Sequence, residues 1–322
     1  MTDPLVTLIV FSFNQEKHIR EAVRAAFAQT YEPLEIIVSD DCSTDRTFEI
    51  IERETNAYDG PHTIITNRNE HNLGLIGHVN SILNRASGRL IALAAGDDIS
   101  LPDRISAHVN AWQNSNENCH LIYSDMEMID ENGNVIHESL NLPVLHSQTI
   151  EQIVSENSYA TGATCTISAE VFSEFGELQP DTLHEDRAWP LRAKHLGEIA
   201  YCPRVLVQYR SGGVSWRVDR TTKFTRFIND YHQKLSDLQT LSPVDNHLLE
   251  ICNQRISELS LLLAVEEKSI NPIQLASKCL AKKIRPRLAV EMILRRLFAA
   301  PIQSYRGHRD RKDRVPARSS CE

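Results

Sequence analysis

The sequence has no apolar run of about 18 residues, so it indicates no membrane-spanning helix. Its opening, MTDPLVTLIVF, lacks the basic segment of a secretory signal and leads directly into a strand pattern. Seven cysteines are scattered without a CxxC pair or the Cys/His spacing of a zinc site. We therefore expect free thiols, no zinc centre and a cytoplasmic protein.

Charge is unevenly distributed along the chain, whose formal net charge is −9. From Lys278 to the end there are 13 Lys/Arg and 4 Asp/Glu, whereas the first 277 residues hold 21 and 39. The acidic body argues against nucleic acid as a partner. The basic C-terminal part has the charge that suits an anionic surface.

The first half of the chain alternates strand and helix patterns. Continuous apolar runs, typical of strands covered on both faces, are each followed by apolar residues at helical spacing. The predicted strands are 5–13, 34–41, 62–67, 89–95 and 119–130. This alternation predicts a Rossmann-like, mostly parallel α/β sheet between helices. Asn132-Gly133 predicts a hairpin turn after the fifth strand.

The second half of the chain is predominantly helical after about residue 222, with segments near 224–240, 244–265, 272–283 and 287–299. The last twenty residues are polar and basic, a composition typical of disorder. We predict an α/β domain over 1–220, a helical C-terminal extension over 221–300 and a basic, disordered tail over 301–322.

Polar residues stand at the end of each of the first four predicted strands or directly after it. They are Asn14, the pair Asp40 and Asp41, Asn67, and the pair Asp97 and Asp98. The carboxyl ends of parallel strands meet at one edge of a sheet, and open α/β sheets bind their ligands there. The sequence therefore predicts one crevice lined by side chains from four separate loops.

Four segments in this order resemble the family 2 glycosyltransferases of GT-A fold. They are VTLIVFSFNQEKHIREAVRAAFAQTYEPLEIIVSDDCSTDRT, NRNEHNLGLIGHVN, AAGDDISLPDRI and HEDRAWPLRA, and the resemblance covers about residues 4–215. The sequence departs from the family pattern at Cys42, where glycine is usual, and at Phe11, where a small residue or proline is common. The resemblance implies a GT-A nucleotide-diphospho-sugar transferase fold.

The resemblance also implies a donor site. Asp41, with Asp40 beside it, would bind the nucleotide base, because a carboxylate accepts from a ring N–H in a charge-assisted bond. Asp98 would bind Mg²⁺ or Mn²⁺, since carboxylates alone would repel a diphosphate, and Asp97 would contact the sugar or ribose. The other residues expected near the nucleotide-sugar are Phe11, Asn14, Asn72 and Gly74.

The segment HEDRAWPLRA resembles the part of the family that carries the catalytic base. This implies that Asp186 removes the proton of the acceptor hydroxyl, while Glu185 and Arg192 lie on the acceptor side and His184 forms part of their surroundings. Arg210 or Arg217, in QYRSGGVSWR, would reach diphosphate oxygens from a mobile loop. The implied displacement is a single step that inverts the sugar.

The last predicted helix has two interpretations. Apolar residues near one face, with arginines mostly opposite, fit either a helix packed on the domain or peripheral contact with anionic lipid. Those apolar residues are Val290, Ile293, Leu294, Leu297 and Phe298. Lipid contact would suit a lipid-linked acceptor and a position at the inner face of the membrane.

The sequence thus predicts an inverting glycosyltransferase. It would move a sugar from a nucleotide diphosphate donor, with UDP the expected nucleotide, to a hydroxyl of a saccharide or lipid-linked acceptor in cell-surface polysaccharide or glycolipid biosynthesis. Two alternatives stay open: a non-catalytic nucleotide-binding relative and a sugar nucleotidyltransferase. The nucleotidyltransferase alternative fits the sequence less well. Such enzymes carry a glycine-rich loop after the first strand, and FSFNQEKHI at that place has no glycine.

Overall fold

A parallel half-sheet forms the N-terminal part of the computed structural model, which describes residues 3–140, 144–182, 184–212, 219–241 and 243–298. Strand β1 (Val6–Ser12) pairs in parallel with β2 (Leu34–Asp40) and β4 (Leu90–Ala95), and β3 (Thr63–Arg68) pairs in parallel with β2. Phe11 lies opposite both Ser39 and Ala95, so the three central strands end at the same edge. The predicted strand–helix alternation is confirmed here.

The rest of the sheet is mixed. Strand β6 (Cys119–Ile129) runs parallel to β9 (Glu198–Arg210), and β8 (Cys165–Ser168) lies antiparallel between β4 and β6. The short β5 (Ile99–Ser100) and β7 (Val135–Leu140) complete an order of β3-β2-β1-β4-β8-β6-β9-β5, with β7 beside β6. The hairpin predicted at Asn132-Gly133 joins β6 to β7, and Gly133 has φ +86°.

Helices cover both faces of the sheet, which explains why its central strands are apolar throughout. Helices α1 (Ile19–Phe27), α2 (Thr47–Asn56) and α4 (Arg104–Asn114) pack with Leu8 and Val10 in one core layer. On the other face Ile9 joins a layer that contains α3 (Gly74–Leu83), α5 (Ile150–Glu156), α6 (Glu170–Ser173) and α7 (Trp189–Leu196).

Four further helices follow the sheet, at the predicted places. They are α8 (Arg220–Thr240), α9 (Asn246–Glu266), α10 (Pro272–Ala281) and α11 (Pro286–Phe298). The chain groups into two compact units, Met1–Ser260 and Leu261–Glu322. Helix α8 lies within the first unit. The sequence had predicted that it belongs to the helical extension over 221–300. The tail predicted to be disordered, 301–322, lies outside the described residues.

The second unit has an apolar core of its own. Its buried side chains are Leu261, Val265, Ile270, Leu275, Cys279, Ile284, Leu288 and Met292. Across the described parts of both units, no helix combines the length and the apolarity needed to cross a bilayer.

Candidate active site

The loops after β1 and β2 are bonded to each other through Asn14. The backbone N–H of Asn14 donates to Ser43 Oγ at 2.8 Å, and Asn14 Oδ1 accepts from the Thr44 N–H at 2.9 Å. Asn14 has φ +52°, a left-handed conformation that asparagine tolerates better than most residues. Its side chain therefore fixes the position of the two loops relative to one another.

Asp40 and Asp41 differ in how much of their carboxylate is free. Asp40 is fully buried, accepts from the Ser43 N–H at 2.9 Å and from the Ser43 hydroxyl, and lies 3.5 Å from Arg68 Nε. Asp41 Oδ1 accepts from Asn69 Nδ2 at 2.8 Å and from the Leu73 N–H at 2.9 Å. Within the described part of the chain, no hydrogen bond reaches the other oxygen of Asp41.

Cys42 occupies a backbone position that glycine favours. Its φ is +59°, in the left-handed region, and its Sγ lies 3.6 Å from the carbonyl oxygen of Glu70. The departure from the usual glycine therefore leaves the turn after Asp41 in the conformation that glycine would allow, at a cost of about 1–2 kcal/mol.

Phe11, Asn72 and Gly74 surround the same loops. Phe11 is half-buried and meets the ring of His78 edge-on, with the centroids 5.1 Å apart. Asn72 Oδ1 accepts from the Gly74 N–H at 2.8 Å, which fixes the first turn of α3. Gly74 has φ +71°, and a Cβ built there would meet no atom within 4 Å. The backbone at this turn is therefore open to a close approach.

The Asp97-Asp98 turn follows β4 and holds a buried carboxylate. Asp98 Oδ1 accepts from the Arg210 N–H at 2.8 Å, while Asp98 Oδ2 is buried and has no hydrogen-bond partner among the described residues. Burial first, and then the neighbouring Asp97, raise the pKa of Asp98 to about 8. Burial also raises the pKa of Asp97. A buried oxygen without a partner costs about 1–3 kcal/mol, which a bound cation would offset.

The carboxylate oxygens at this turn fit a hard divalent cation that takes its other ligands from phosphate and water. Among the residues that the structure describes, no cluster of three or more His, Cys, Asp or Glu side chains forms a closed metal cage. The protein thus offers carboxylate oxygen from Asp98 alone or with Asp97. Mg²⁺ and Mn²⁺ accept such oxygen ligands together with phosphate and water.

One buried arginine holds this turn, and a second bonds the adjoining strands β4 and β8. Arg210, expected from the sequence in a mobile loop, is buried, and its Nε donates to the Asp97 carbonyl at 2.9 Å and its Nη2 to Glu21 at 2.8 Å. Arg104, which the sequence reasoning missed, is fully buried and donates to the carbonyls of Leu93 and Cys165 at 2.8 and 3.0 Å. These contacts favour a positioning role for Arg210. Arg217 lies outside the described residues.

Glu185 and Asp186 lie together on a short 3₁₀ turn, Glu185–Arg187. Burial and the adjacent Asp186 raise the pKa of Glu185 to about 8. Burial raises the pKa of Asp186 to about 6, opposed by Arg187 and His184. Asp186 is partly exposed, although its Oδ1 is buried and accepts no hydrogen bond from the part of the chain that the structure describes. One of the two carboxyls therefore holds a proton near neutral pH, and Asp186 is the one more readily ionised.

The turn that carries Glu185 and Asp186 lies against the start of β8. A Cβ built on Gly162 would lie 2.5 Å from Glu185 Oε1, so that carboxyl lies directly against the bare backbone of Gly162. Because β8 runs antiparallel to β4, its beginning lies toward the carboxyl end of β4. The turn that carries Asp186 and the turn that carries Asp98 are therefore at the same edge of the sheet.

Arg192 lies elsewhere. It is fully buried, its Nε and Nη2 each donate to Asp237 at 2.9 Å, and its Nη1 donates to the Gly176 carbonyl at 2.8 Å. A guanidinium with no exposed surface and these partners cannot contact an acceptor without leaving them. The structure therefore favours a structural role for Arg192 over the predicted place on the acceptor side.

Further backbone hydrogen bonds join the loops at this edge. The Asp41 N–H donates to the Ser12 carbonyl at 2.9 Å, and the Gly96 N–H donates to the Phe11 carbonyl at 2.8 Å. The loops after β1, β2 and β4 are thereby held side by side. A mixed α/β sheet with aspartates on these loops is the GT-A arrangement, the class of nucleotide-diphospho-sugar transferases.

Within that class, a family model shows where the chain belongs. Residues 7–176 match the model described as "Glycosyl transferase family 2". This match covers more than half of the chain, which belongs to glycosyl transferase family 2.

Two relatives illustrate the range of similarity. An uncharacterized glycosyltransferase of Haemophilus influenzae is 33% identical over 221 residues, covering 65% of this chain and 66% of the relative. The Escherichia coli protein named "UDP-Glc:alpha-D-GlcNAc-diphosphoundecaprenol beta-1,3-glucosyltransferase WfgD" is 32% identical over 134 residues, 41% of this chain and 50% of the relative. The chain spans about half to two thirds of the length of the relatives it matches.

Solved structures share the fold. TarS of S. aureus, residues 1–349, superposes with a TM-score of 0.61 at 16% identity, covering 90% of this chain and 88% of that chain. A complex of the same TarS segment with UDP-GlcNAc gives 0.58 at 14% identity, over 90% and 81%. The mannosyltransferase PcManGT of Pyrobaculum calidifontis, solved with GDP-Man and Mn²⁺, gives 0.55 at 16% identity, over 94% and 89%. At these identities the likeness shows the GT-A fold alone.

Proposed function

We propose that the protein transfers a sugar from a nucleotide diphosphate donor, with UDP the expected nucleotide, to a hydroxyl acceptor, with inversion at the anomeric carbon. The observation that carries this proposal is the common edge of the sheet at which Asp41, Asp98 and Asp186 lie. Recognition of a base, compensation of diphosphate charge and removal of a proton require three such groups around one crevice.

The donor side of the proposal rests on Asp41 and the open backbone at Gly74. The carboxylate oxygen of Asp41 that lacks a partner in the described residues can accept from the N–H of a nucleobase, whereas Asp40 is already engaged. Gly74 leaves room for the diphosphate, beside Asn72 and the half-buried Phe11. UDP is supported by the name of the E. coli relative and by the UDP-GlcNAc complex of TarS.

The metal side of the proposal rests on the buried Oδ2 of Asp98. Asp98, with Asp97 beside it, would hold Mg²⁺ or Mn²⁺ together with donor phosphates and water. With such an ion bound, the negative charge that develops on the departing diphosphate is neutralised. The Mn²⁺ present in the PcManGT complex supports a divalent ion of this kind.

Proton removal falls to Asp186. A carboxylate whose pKa is about 6 is ionised at neutral pH yet more basic than an ordinary aspartate. The acceptor oxygen, once its proton passes to Asp186, attacks the anomeric carbon from the face opposite the nucleotide, so the bond to the diphosphate breaks as the glycosidic bond forms. Glu185, largely protonated at neutral pH, can donate a hydrogen bond to the acceptor.

The proposed acceptor is a saccharide or lipid-linked hydroxyl in cell-surface polysaccharide or glycolipid assembly. Support comes from the name of the E. coli relative, which refers to a diphosphoundecaprenol-linked sugar. The second unit supplies a surface for membrane contact: Ile273 and Leu280 of α10 are 84% and 82% exposed. Residues 261–298 hold eight Lys/Arg against three Asp/Glu, which suits anionic lipid headgroups.

Thermal unfolding with UDP, GDP and dTDP, each with and without Mn²⁺, tests the donor assignment. A nucleotide at a hundredfold its dissociation constant stabilises a protein by about 2.7 kcal/mol, so we expect a melting temperature a few degrees higher with UDP and Mn²⁺ together. A shift in melting temperature with GDP and not with UDP would mean that the donor is a GDP-sugar. No shift with any nucleotide would favour the non-catalytic alternative.

Asp186→Asn tests the catalytic assignment. We expect nucleotide release from a panel of activated sugars to fall by about 10²–10⁴-fold, because the amide cannot accept the acceptor proton. The UDP-dependent thermal shift should stay as in the wild type. Loss of both activity and nucleotide binding would mean that Asp186 does not act as the base.

A further inference from the structure

Helix α8 presents a row of polar side chains to the interior of the first unit. Asp230, Gln233, Lys234 and Asp237 are all buried, with Lys234 fully so. Their spacing of three and four residues puts them on one helix face. Buried charges need specific partners, so each member of this row indicates a contact that the fold maintains.

The partners of Asp230 are the residues on either side of Glu185 and Asp186. Asp230 Oδ2 lies 3.4 Å from His184 Nδ1 and 3.6 Å from Arg187 Nε, so one carboxylate oxygen serves both. His184 precedes the 3₁₀ turn and Arg187 ends it. Asp230 thus holds the turn at both ends.

Arg187 and Lys234 extend this contact to helix α5. Arg187 Nη1 donates to the carbonyl of Asn157 at 2.8 Å, and Lys234 donates to the side-chain oxygen of the same residue. Asn157, with φ +52°, is the residue at which α5 ends. The guanidinium of Arg187 also lies between two rings, 4.4 Å from the centroid of Tyr159 and 5.0 Å from that of Phe227.

We propose that Asp230 is a positioning residue for the transfer reaction, holding His184 and Arg187 so that the turn between them presents Asp186 to the acceptor. The proposal rests on the proposed function. It assigns a role at the site to a residue of α8, which lies outside residues 7–176 that match the family model. His184 and Arg187 lower the pKa of Asp186 whereas the charge of Asp230 raises it, so Asp230 would support the base through the placement of these two residues and not through its own charge.

Asp237 provides a matched control on the same helix. It lies two turns further along the buried face and is also an ion-paired aspartate, but its partner is Arg192 and it makes no described contact with the turn. Removing Asp237 leaves the fully buried Arg192 without its carboxylate, and removing Asp230 does the same to the partly buried Arg187, so each change costs stability. Only removal of Asp230 should disturb the position of Asp186.

The test compares Asp230→Ala, Asp230→Asn and Asp237→Asn in the full-length protein by steady-state kinetics of nucleotide release. We expect Asp230→Ala to lower kcat at least tenfold with the donor KM unchanged within about threefold, and Asp230→Asn, which can still accept hydrogen bonds, to recover part of the loss. Asp237→Asn should lower the melting temperature but leave kcat near the wild-type value. If Asp230→Asn and Asp230→Ala both fold and both have the kcat of the wild type, the proposal is overturned.

A second readout does not depend on turnover. The ¹H–¹³C NMR signals of the His184 imidazole should move in Asp230→Asn and stay in place in Asp237→Asn. Unmoved signals in Asp230→Asn, or equal movement in both variants, would contradict the positioning role. If the wild type releases no nucleotide from any donor, the proposed function fails, and the NMR comparison still decides whether Asp230 holds the turn.

Discussion

Asp98, Asp186 and Asp230 each have a buried carboxylate oxygen that finds no hydrogen-bond partner within the described ranges of the chain. Such an oxygen costs about 1–3 kcal/mol of stability, because the folded state does not replace the water that it loses. The first two lie at the common edge of the sheet and the third lies directly behind it. Carboxylate oxygens without partners beside one edge of the sheet are typical of sites that trade stability for ligand binding or catalysis.

The first residue-scale prediction concerns pH. Because the pKa of Asp186 is raised to about 6, the fraction in the basic, ionised form grows as pH rises through that value. We expect kcat/KM for transfer to fall about tenfold per pH unit below pH 6 and to level off above it, measured by nucleotide release at saturating metal. A profile that stays flat between pH 5 and pH 8 would contradict the role of Asp186.

The second residue-scale prediction concerns Gly162. The added methyl group of Gly162→Ala would lie 2.5 Å from Glu185 Oε1, and the flexible end of that side chain can move aside. We therefore expect a loss of activity of tenfold or more with little change in melting temperature. In a double-mutant cycle, Gly162→Ala should have no further effect on kcat in a Glu185→Ala background. Additive losses would mean that the methyl group acts through another contact.

At the scale of elements, α7 and α8 are joined by the buried pair of Arg192 and Asp237. Breaking a buried pair costs about 3–5 kcal/mol, because the remaining charge stays in the interior without its partner. We expect Arg192→Leu to lower the free energy of unfolding by that amount, measured by urea denaturation. The double variant Arg192→Leu, Asp237→Leu should recover most of the loss.

A control for this prediction starts from α7 as well. Lys194 of α7 and Glu198, the first residue of β9, form a pair at the surface, with Nζ and Oε2 separated by 2.7 Å. Surface pairs contribute about 0.2–1 kcal/mol, so Lys194→Met should change stability little. Equal destabilisation by Lys194→Met and Arg192→Leu would show that burial of the Arg192 pair is not what makes it important.

At the scale of the whole molecule, the described part of the second unit combines net positive charge with exposed apolar side chains. Leu288 and Met292 of α11 are buried in its core, while Val290 and Leu294 are 55% and 48% exposed. Packing within the unit thus accounts for Leu288 and Met292, whereas Val290 and Leu294 remain on the surface, where contact with lipid would require them. The side chains of Leu297 and Phe298 lie outside the described residues.

The whole-molecule prediction concerns lipid. We expect the protein to sediment with vesicles containing phosphatidylglycerol but not with pure phosphatidylcholine, and to be released by high salt, because screening weakens attraction between charges. The double variant Ile273→Ser, Leu280→Ser should reduce sedimentation severalfold. Val144→Ser, at a side chain of the first unit that is 55% exposed, serves as the control. A dimer that the double variant disrupts would instead identify the surface as an interface between copies.

The sequence by itself determined the elements of the sheet and the positions of its aspartates. Apolar periodicity is a local property, so the strands that end near Asn14, Asp40, Asn67 and Asp97, and the four C-terminal helices, could be predicted from neighbouring residues alone. Because parallel strands end at a common edge, their polar ends could also be predicted to meet.

Only the tertiary structure decided which distant segments complete that edge. Strand β8 enters between β4 and β6, and α8 brings Asp230 and Asp237 to the 3₁₀ turn and to Arg192. Neighbouring residues predict neither feature. A charged residue on a helix is expected to face solvent unless a partner from a distant part of the chain packs against it. The sequence could therefore nominate Arg192 and Arg210 as ligand contacts, and only long-range packing assigned them to the interior.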